Sequence, residues 1–381
     1  MRALNSSLTV CAVLAIASIL ACGASGPPAS LAVVQTSDLG VIGSNPAILD
    51  RDGGYSGVFA GNSVWVFGDT FLANPNADGQ TLISDSWEWT TNLNTATGIV
   101  GFDERDDSAG APAMLLSYTA AEEAFNTAHQ GNPCQQQPCG ARWALWPGPV
   151  VADPARNRAL VFYQLVMAGN GNFNFAAVGY SVAIWQSFSS QPQRPTINPN
   201  TEHPDLLFGQ NAPDFGSAAF ADGDTLYAYA CNGSNPGAPC VVGRVALESV
   251  LEVSAWTFYA GNGNWSGNVG DAVSVMNAAP IMNVSWNAYL QCYVAVYNAP
   301  FSQDVKMRTS PRPEGPWSRD VTAFEALTPT NGGNSVHDAL AHPEFNGDGG
   351  QVMYVTYSHS TGAFSSELRL ESVEMKAVDS Q

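Results

Sequence analysis

The fold is decided by the stretch Asp50–Phe71, which reads DRDGGYSGVFAGNSVWVFGDTF. Two strand-like segments flank the pair Gly61-Asn62, whose residue types tolerate the positive φ angles of a short hairpin turn. A two-residue turn at that pair would place Asp69 opposite Gly54, with Asp52 two positions further along the same side. The stretch therefore predicts a β-hairpin whose open end carries two carboxylates. An aspartate at a strand end can equally be a turn or capping residue.

The same design recurs four more times, as a short strand of small residues, a polar turn, and a strand rich in Tyr, Val and Phe. The first strands of the later copies are 148–152, 216–220, 278–284 and 338–342. They recur roughly every 60–70 residues, which leaves room for two further strands in each interval. Five such hairpins predict an all-β fold, a single five-bladed β-propeller over 31–381, with the small-residue strands lining the axis. A stacked β-sandwich is the alternative, and five similar hairpins argue against it.

Helical patterns are scarce in this sequence. The best candidate is a short helix at 120–128, within an insertion after the opening hairpin. Residues 31–43 are predicted to form a strand that leads into that hairpin.

The N-terminal residues have the features of an export signal. The apolar run 8–21 is too short to span a membrane comfortably. It ends in Ile-Leu-Ala-Cys, which resembles a bacterial lipobox, and an ordinary cleaved secretory signal is the alternative. We therefore predict a lipoprotein signal peptide at 1–21, lipidation of Cys22 and a flexible tether at 22–30. The protein would be exported and either anchored to a membrane of the cell envelope through its lipid alone or secreted.

Cysteine positions agree with an oxidising compartment. Cys134 and Cys139 bracket one short Pro-containing loop, and Cys231 and Cys240 bracket another. Each pair is predicted to form a local disulfide. Zinc binding is the alternative, although neither pair has the CxxC spacing of a zinc site. Cys292 lies in an apolar run and is predicted to be a buried thiol.

The composition limits the classes of partner. The formal net charge is −19, which would repel nucleic acids and anionic polysaccharides. A hydrophobic content of 45% is enough to build a large core, so the chain is not disordered. We expect a monomer that binds no nucleic acid.

In a propeller, the open ends of the five hairpins meet at one end of the molecule. The polar and aromatic residues expected there are Asp50, Asp52, Asp69, Trp146, Asp214, His337 and Asp338. An indole ring can stack on a sugar face, and carboxylates accept hydrogen bonds from hydroxyl groups, so the set predicts a neutral polysaccharide or oligosaccharide ligand. Turn capping is the alternative role for Asp214 and Asp338, blade packing for Trp146, and a structural role for His337. Nothing predicts a cofactor, and a structural calcium ion bound by aspartates and asparagines is an option.

Several motifs carry a family resemblance. RDGGYS followed by VWVFGDT resembles the opening blade of a bacterial domain-of-unknown-function family of five-bladed propellers that includes endo-D-arabinanases. The likeness extends to SDSWEWTTNLNTATG at 84–98, to Trp146-Pro147, to RTSPRPEGPWS at 308–318 and to HPE at 342–344. It covers nearly the whole chain after Leu31.

The resemblance implies a glycoside hydrolase acting on arabinan-like or related cell-wall polysaccharide, with Asp52 and Asp69 as its catalytic residues. Glycosidic cleavage requires one carboxylic acid that protonates the leaving oxygen and one carboxylate on the other side of the bond. The sequence leaves open which aspartate is the acid, and whether the reaction retains or inverts configuration. A carbohydrate-binding surface propeller without catalysis is the alternative function, and a scaffold that binds another envelope protein is a third.

Overall fold

The computed structural model describes residues 30–95, 98–171, 174–233, 237–300, 302–328 and 336–378. Within these ranges the chain forms five antiparallel sheets and one α-helix, and the sheets are the blades of a five-bladed β-propeller. The predicted fold class is confirmed. The predicted signal peptide, Cys22 and the tether up to residue 29 lie outside the described residues.

The strands follow the chain blade by blade around the axis. The N-terminal strand β1 (Ser30–Val41) belongs to the fifth blade. The first blade contains β2 (Ile48–Phe59), β3 (Asn62–Leu72), β4 (Leu82–Ile83), β5 (Ser86–Thr90) and β6 (Asp103–Glu104), and the helix α1 (Ala120–His129) follows it. The second blade contains β7 (Arg142–Asp153), β8 (Arg158–Ala168), β9 (Phe175–Trp185) and β10 (Phe208–Gly209). The third blade contains β11 (Ala218–Asp222), β12 (Thr225–Cys231), β13 (Pro239–Ala246), β14 (Thr257–Gly261), β15 (Asn264–Ser266) and β16 (Met276–Asn277).

The last two blades complete the ring. The fourth blade contains β17 (Met282–Asn287), β18 (Cys292–Asn298), β19 (Asp304–Ser310) and β20 (Val321–Glu325). The fifth contains β21 (His337–Ala341), β22 (Val352–Gly362), β23 (Ser365–Val378) and β1. Short 3₁₀ helices lie at Pro154–Arg156, Leu247–Ser249, Val253–Ala255, Val269–Asp271, Pro343–Phe345 and Asp348–Gly350. None of the helices in the described ranges is long and apolar enough to cross a membrane.

Each predicted hairpin supplies the innermost strand of one blade. These innermost strands are β2, β7, β11, β17 and β21, and each is an edge strand of its own sheet. The fourth begins at Met282, four residues later than the pattern of small residues predicted. Because every innermost strand runs in the same direction, all five begin at one end of the propeller, which we call the rim.

The turn of the opening hairpin differs from its prediction by one residue. Phe59 pairs with Asn62, so the two turn residues are Ala60 and Gly61, with φ angles of 50° and 81°. Asn62 is buried, and its amide donates to the carbonyl oxygens of Phe59 and Ala60. The predicted turn at Gly61-Asn62 is therefore wrong, and Asp69 does not lie opposite Gly54.

The predicted helix, the two predicted disulfides and the predicted buried thiol are confirmed. The helix begins at Ala120 behind a capping box formed by Thr119 and Glu122. Its Glu122 forms an ion pair with Arg194 at 2.7 Å, which fastens the insertion to the second blade. Both predicted disulfides, Cys134–Cys139 and Cys231–Cys240, are formed, and Cys292 is buried.

Candidate active site

The backbone of β2 is irregular where Asp52 lies. Arg51 pairs with Thr70 and Gly53 pairs with Phe67, and the register shifts between these two pairs. Gly53 and Gly54 have φ angles of 95° and 110°, a region that side-chain-bearing residues rarely adopt. The bulge takes Asp52 out of the regular ladder, and its side chain is 57% exposed at the rim.

Asp52 belongs to a polar cluster with two residues of the fifth blade. His337 Nε2 lies 3.1 Å from Asp52 Oδ1 and 3.6 Å from Asp338 Oδ2. Asp338 is buried and accepts a hydrogen bond of 2.8 Å from the backbone N–H of Gly53. It has a φ of 58°, an uncommon angle for a residue with a side chain. The bulge and the first residues of β21 therefore hold each other in place.

The charges of this cluster favour a bound proton. Burial raises the pKa of Asp338, and the nearby charge of Asp52 raises it further, while His337 opposes both effects. Burial likewise raises the pKa of Asp50, which also lies near Asp52 and accepts a hydrogen bond from Ser366. Three carboxylates thus surround one imidazole, and within the described ranges no Arg or Lys forms an ion pair with any of them. Carboxylates that crowd one site share protons rather than all ionising.

Asp69 has a different environment. Arg142 Nη2 contacts its two carboxylate oxygens at 2.9 and 2.8 Å, and Trp146 Nε1 donates to Oδ1 at 2.9 Å. Its side chain is 20% exposed. Because these donors are all N–H groups and one carries a positive charge, the site presents Asp69 as a fixed carboxylate.

The structure brings Asp52 and Asp69 to the same rim but into separate clusters. Since Arg51 pairs with Thr70, the two aspartates are neighbours across β2 and β3. The side chain of Asp52 contacts the fifth blade, and that of Asp69 contacts the second. The two carboxyl groups therefore contact different neighbours of the first blade.

Trp146 donates a hydrogen bond to Asp69, and part of its ring is open to solvent. Its half-buried ring packs edge-on against Phe175, with centroids 4.9 Å apart. Phe175 is 50% exposed, so the two rings form an aromatic ledge beside Asp69. Asp214 is exposed near the hydroxyl of Tyr180, and no contact with either aspartate cluster is seen among the described residues. The prediction placed Asp214 at the rim but did not find its tyrosine partner.

Sequence reasoning missed Arg142 and Phe175. A signal for Arg142 was present, because residues 142 and 146 have the even spacing that puts two side chains on one face of a strand. Phe175 begins the third strand of its blade, and only the assembled sheet brings it next to Trp146. No sequence pattern indicated it.

One group of side chains could hold a metal ion. Asp52, His337 and Asp338 each offer one ligand atom, and these three atoms lie within 4.8 Å of one another. No other group of three such side chains is this close together in the described parts of the chain. Imidazole with two carboxylates suits a transition metal better than calcium, which prefers oxygen ligands.

Comparisons with known proteins agree with the fold. The family model described as "Domain of unknown function (DUF4185)" matches residues 31–362, which confirms the family resemblance of the RDGG and FGDT motifs. No curated protein matches the chain. A protein of Bacteroides ovatus ATCC 8483 superposes with a TM-score of 0.57 at 14% identity, over 87% of this chain and 86% of that one.

Two solved glycoside hydrolases are also similar in outline. A family 117 glycoside hydrolase of the marine bacterium Zobellia galactanivorans gives a TM-score of 0.49 at 10% identity, over 91% of this chain and 92% of that one. A GH43_1 enzyme of Xanthomonas citri, complexed with xylotriose, gives 0.49 at 10% identity, over 87% and 89% of the two chains. At these TM-scores and identities, neither likeness carries an argument about this chain.

Proposed function

This chain belongs to the family described as Domain of unknown function (DUF4185), and we propose that it is an exported glycoside hydrolase of arabinan-like or related cell-wall polysaccharide. One observation carries the proposal. Asp52 and Asp69 are neighbours across two strands, but one lies in a cluster of carboxylates around His337 and the other is bound by Arg142. Glycosidic cleavage requires two carboxyl groups in opposite protonation states.

The two environments support a proposal for the role of each aspartate. Asp69, held by Arg142 and Trp146, acts as the carboxylate that either activates a water molecule or attacks the anomeric carbon. Asp52 acts as the acid and gives its proton to the glycosidic oxygen as the bond to the leaving sugar breaks. His337 Nε2 lies 3.1 Å from Asp52 and 3.6 Å from the buried Asp338, so it connects the two carboxyl groups. Asp52 afterwards regains a proton from water through this cluster, and the water molecule that adds to the sugar releases the matching proton.

The surface around the two aspartates supports a neutral carbohydrate as the substrate. The ledge of Trp146 and Phe175 offers aromatic area for the apolar face of a sugar ring. The carboxylates of the rim accept hydrogen bonds from hydroxyl groups, and a net charge of −19 disfavours an anionic polymer. The arabinan-like class itself rests on the family resemblance.

The test uses substrates that differ in their need for an acid. We expect wild type to release sugar from arabinan or arabinogalactan, and Asp52→Asn and Asp69→Asn to lose about 10²–10⁴-fold in kcat. On an aryl arabinofuranoside with a good leaving group, Asp52→Asn should recover most of its activity because the leaving oxygen needs no proton. Asp69→Asn should not recover, and Asp78→Asn, an exposed acid of the first blade, should match wild type.

Each contrary outcome has a distinct meaning. Full hydrolysis by both variants would remove the catalytic assignment. If Asp69→Asn instead of Asp52→Asn recovered activity on the aryl arabinofuranoside, Asp69 would be the acid and Asp52 the carboxylate. Binding of arabinan by wild type without release of sugar would make the protein a carbohydrate-binding propeller.

We also propose that the protein is exported and lipid-anchored. The lipobox-like Ile-Leu-Ala-Cys sequence at 19–22 supports this, as do the two disulfides, which are typical of oxidising compartments. Cell fractionation should find wild type with the membranes and Cys22→Ser in the soluble fraction. Equal amounts of both in the membrane fraction would contradict the anchor.

A further inference from the structure

A groove separate from the rim residues lies between the fifth and first blades. It has a volume of about 710 Å³, and its lining does not include Asp52, Asp69 or His337. One wall runs from the end of β1 to Pro46, and the other is formed by β5, β6 and the residues just before β6. A cavity of this size is in the usual range for a small organic ligand.

The groove has far more negative than positive charge. Its lining includes the carboxylates of Glu88, Asp103, Glu104 and Asp106. Arg51 contacts Glu88 at 2.7 Å and Glu104 at 3.2 Å. Asp103 and Asp106 are exposed, and neither forms an ion pair with any described residue. Arg51 therefore pairs with two of the four acidic side chains of the groove, and the other two have no ion-pair partner among the described residues.

One carboxylate oxygen of the groove lacks a donor. The side chain of Glu88 is 1% exposed, and Arg51 contacts its Oε2, but its Oε1 has no hydrogen-bond partner. Oε1 lies against Gly43, another lining residue, where a Cβ atom would stand only 2.5 Å away. A buried acceptor without a donor is costly, so the groove is a place where a donor from outside the chain would be stabilised. Burial raises the pKa of Glu88 to about 7, against the opposing effect of Arg51.

The arrangement suits an organic cation better than a metal ion. No three ligand atoms of these acids come within 4.8 Å of one another in the described chain, so the carboxylates are spread along the groove. The remaining wall is aliphatic, with Leu39, Val41 and Val100 exposed by 46%, 43% and 45%. A ligand that matches both walls has a positively charged hydrogen-bond donor on an apolar chain.

We propose that this groove binds a primary alkylammonium group, carried either by a free diamine or polyamine or by a lysine side chain. The inference does not depend on the hydrolase function, because none of the proposed catalytic residues lines the groove.

Calorimetric titration of the full chain tests the inference. 1,6-Diaminohexane should bind with one site per chain, and 1,6-hexanediol, of the same length without charge, should not bind. Asp103→Asn and Asp106→Asn should each weaken the diamine about fivefold. Asp78→Asn removes the same charge from an exposed loop of the same blade and should change the affinity less than twofold. Nα-acetyl-lysine amide should bind as well as the diamine if the source is a lysine side chain, and more weakly if it is a free polyamine.

Three results would overturn the proposal. The first is equal binding of the diol and the diamine. The second is an equal loss in Asp78→Asn, which would mean general attraction by the net charge. The third is displacement of the diamine by a neutral arabinan oligosaccharide, which would make the groove a sugar site. Asp69→Asn should bind the diamine like wild type, so failure of the hydrolase proposal leaves this result unchanged.

Discussion

At the scale of single residues, the carboxylate of Asp69 depends on two donors from the second blade. Arg142→Met removes the positive charge and keeps much of the side-chain volume, so Asp69 would lose its fixed position and its counter-charge. We expect kcat on arabinan to fall about 10²-fold while KM changes less than about threefold, because a misplaced catalytic group weakens mainly the transition state.

The control for this prediction is Arg319→Met, which removes an exposed arginine. It should have wild-type kinetics. An unchanged kcat in Arg142→Met would show that Asp69 needs no support from Arg142, and a change confined to KM would make Arg142 a substrate-binding residue.

His342 provides a second prediction, which concerns stability. Its ring stacks on Trp65 at 3.9 Å, and its nitrogens lie 2.7 Å from the hydroxyls of Ser56 and Thr356. Burial lowers the pKa of His342 to about 3 in the folded protein, whereas an unfolded histidine titrates near 6.5. Between these values only the unfolded chain binds the proton, so the free energy of unfolding falls as the pH drops from about 6.5 toward 3.

His342→Gln removes this titration and should flatten the pH dependence. Between pH 7.5 and 4.5, urea denaturation should show wild type losing about 2–3 kcal/mol more than the variant. Burial raises the pKa of Asp85 to about 7, so this acid and others like it increase the free energy of unfolding as the pH falls. They do so equally in wild type and in the variant. Parallel pH profiles would mean that His342 has the same pKa in the folded and unfolded states.

Many residues of the site could be predicted from the sequence, but the contacts between them could not. Asp52, His337 and Asp338 were placed together because each lies near the open end of a hairpin, and the structure joins them. Arg142 was missed because its partner Asp69 lies in another blade, and the spacing of residues 142 and 146 shows only that they share one face of a strand. A residue's type indicates what it can bind, whereas the assembled blades determine what it does bind.

At the scale of elements, the glycine pair of β2 sets the position of Asp52. An added Cβ on Gly53 would meet other atoms no closer than 3.7 Å, so the cost of Gly53→Ala comes from its φ of 95°. We expect a loss of about 1–3 kcal/mol in unfolding free energy and at least about a tenfold fall in kcat, as the bulge relaxes and Asp52 moves.

Gly267→Ala is the matched control, since Gly267 has no positive φ and no atoms within 4 Å of the added Cβ. It should leave both stability and kcat unchanged. A Gly53→Ala protein with normal stability and activity would show that the bulge does not determine where Asp52 lies.

The five hairpins also show what local sequence patterns can predict. Alternation and turn residues located all five hairpins, but the opening turn was misplaced by one residue because Asn62 turns inward to bind the carbonyls of the turn. A shift of one residue changes which residues lie opposite each other, and two further bulges change the register again near Gly53. Periodicity therefore predicts that a hairpin exists better than it predicts its register.

At the scale of the whole molecule, the ring closes through its first described strand. β1 pairs with β23 over ten residue pairs, from Ser30 opposite Val378 to Val41 opposite Arg369. The repeats predicted five blades and a strand at 31–43, but not that this strand completes the last blade. The two partners lie at opposite ends of the sequence, and most side chains of β1 are not buried, so its pattern indicates no partner.

The pairing of β1 with β23 is the basis of the last prediction. A protein of residues 42–381 lacks β1, so it exposes the edge of β23 and uncovers the core contacts of Leu31. The lost burial and ladder hydrogen bonds should lower the free energy of unfolding by roughly 3–6 kcal/mol, a large share of the total for a typical domain. Urea denaturation should show this loss against a protein of residues 30–381, and gel filtration should show association through the open edge. Added peptide with the sequence of residues 30–41 should restore part of the lost stability by pairing with β23. Equal denaturation midpoints for the two proteins would mean that the other four blades and three strands hold the ring without closure.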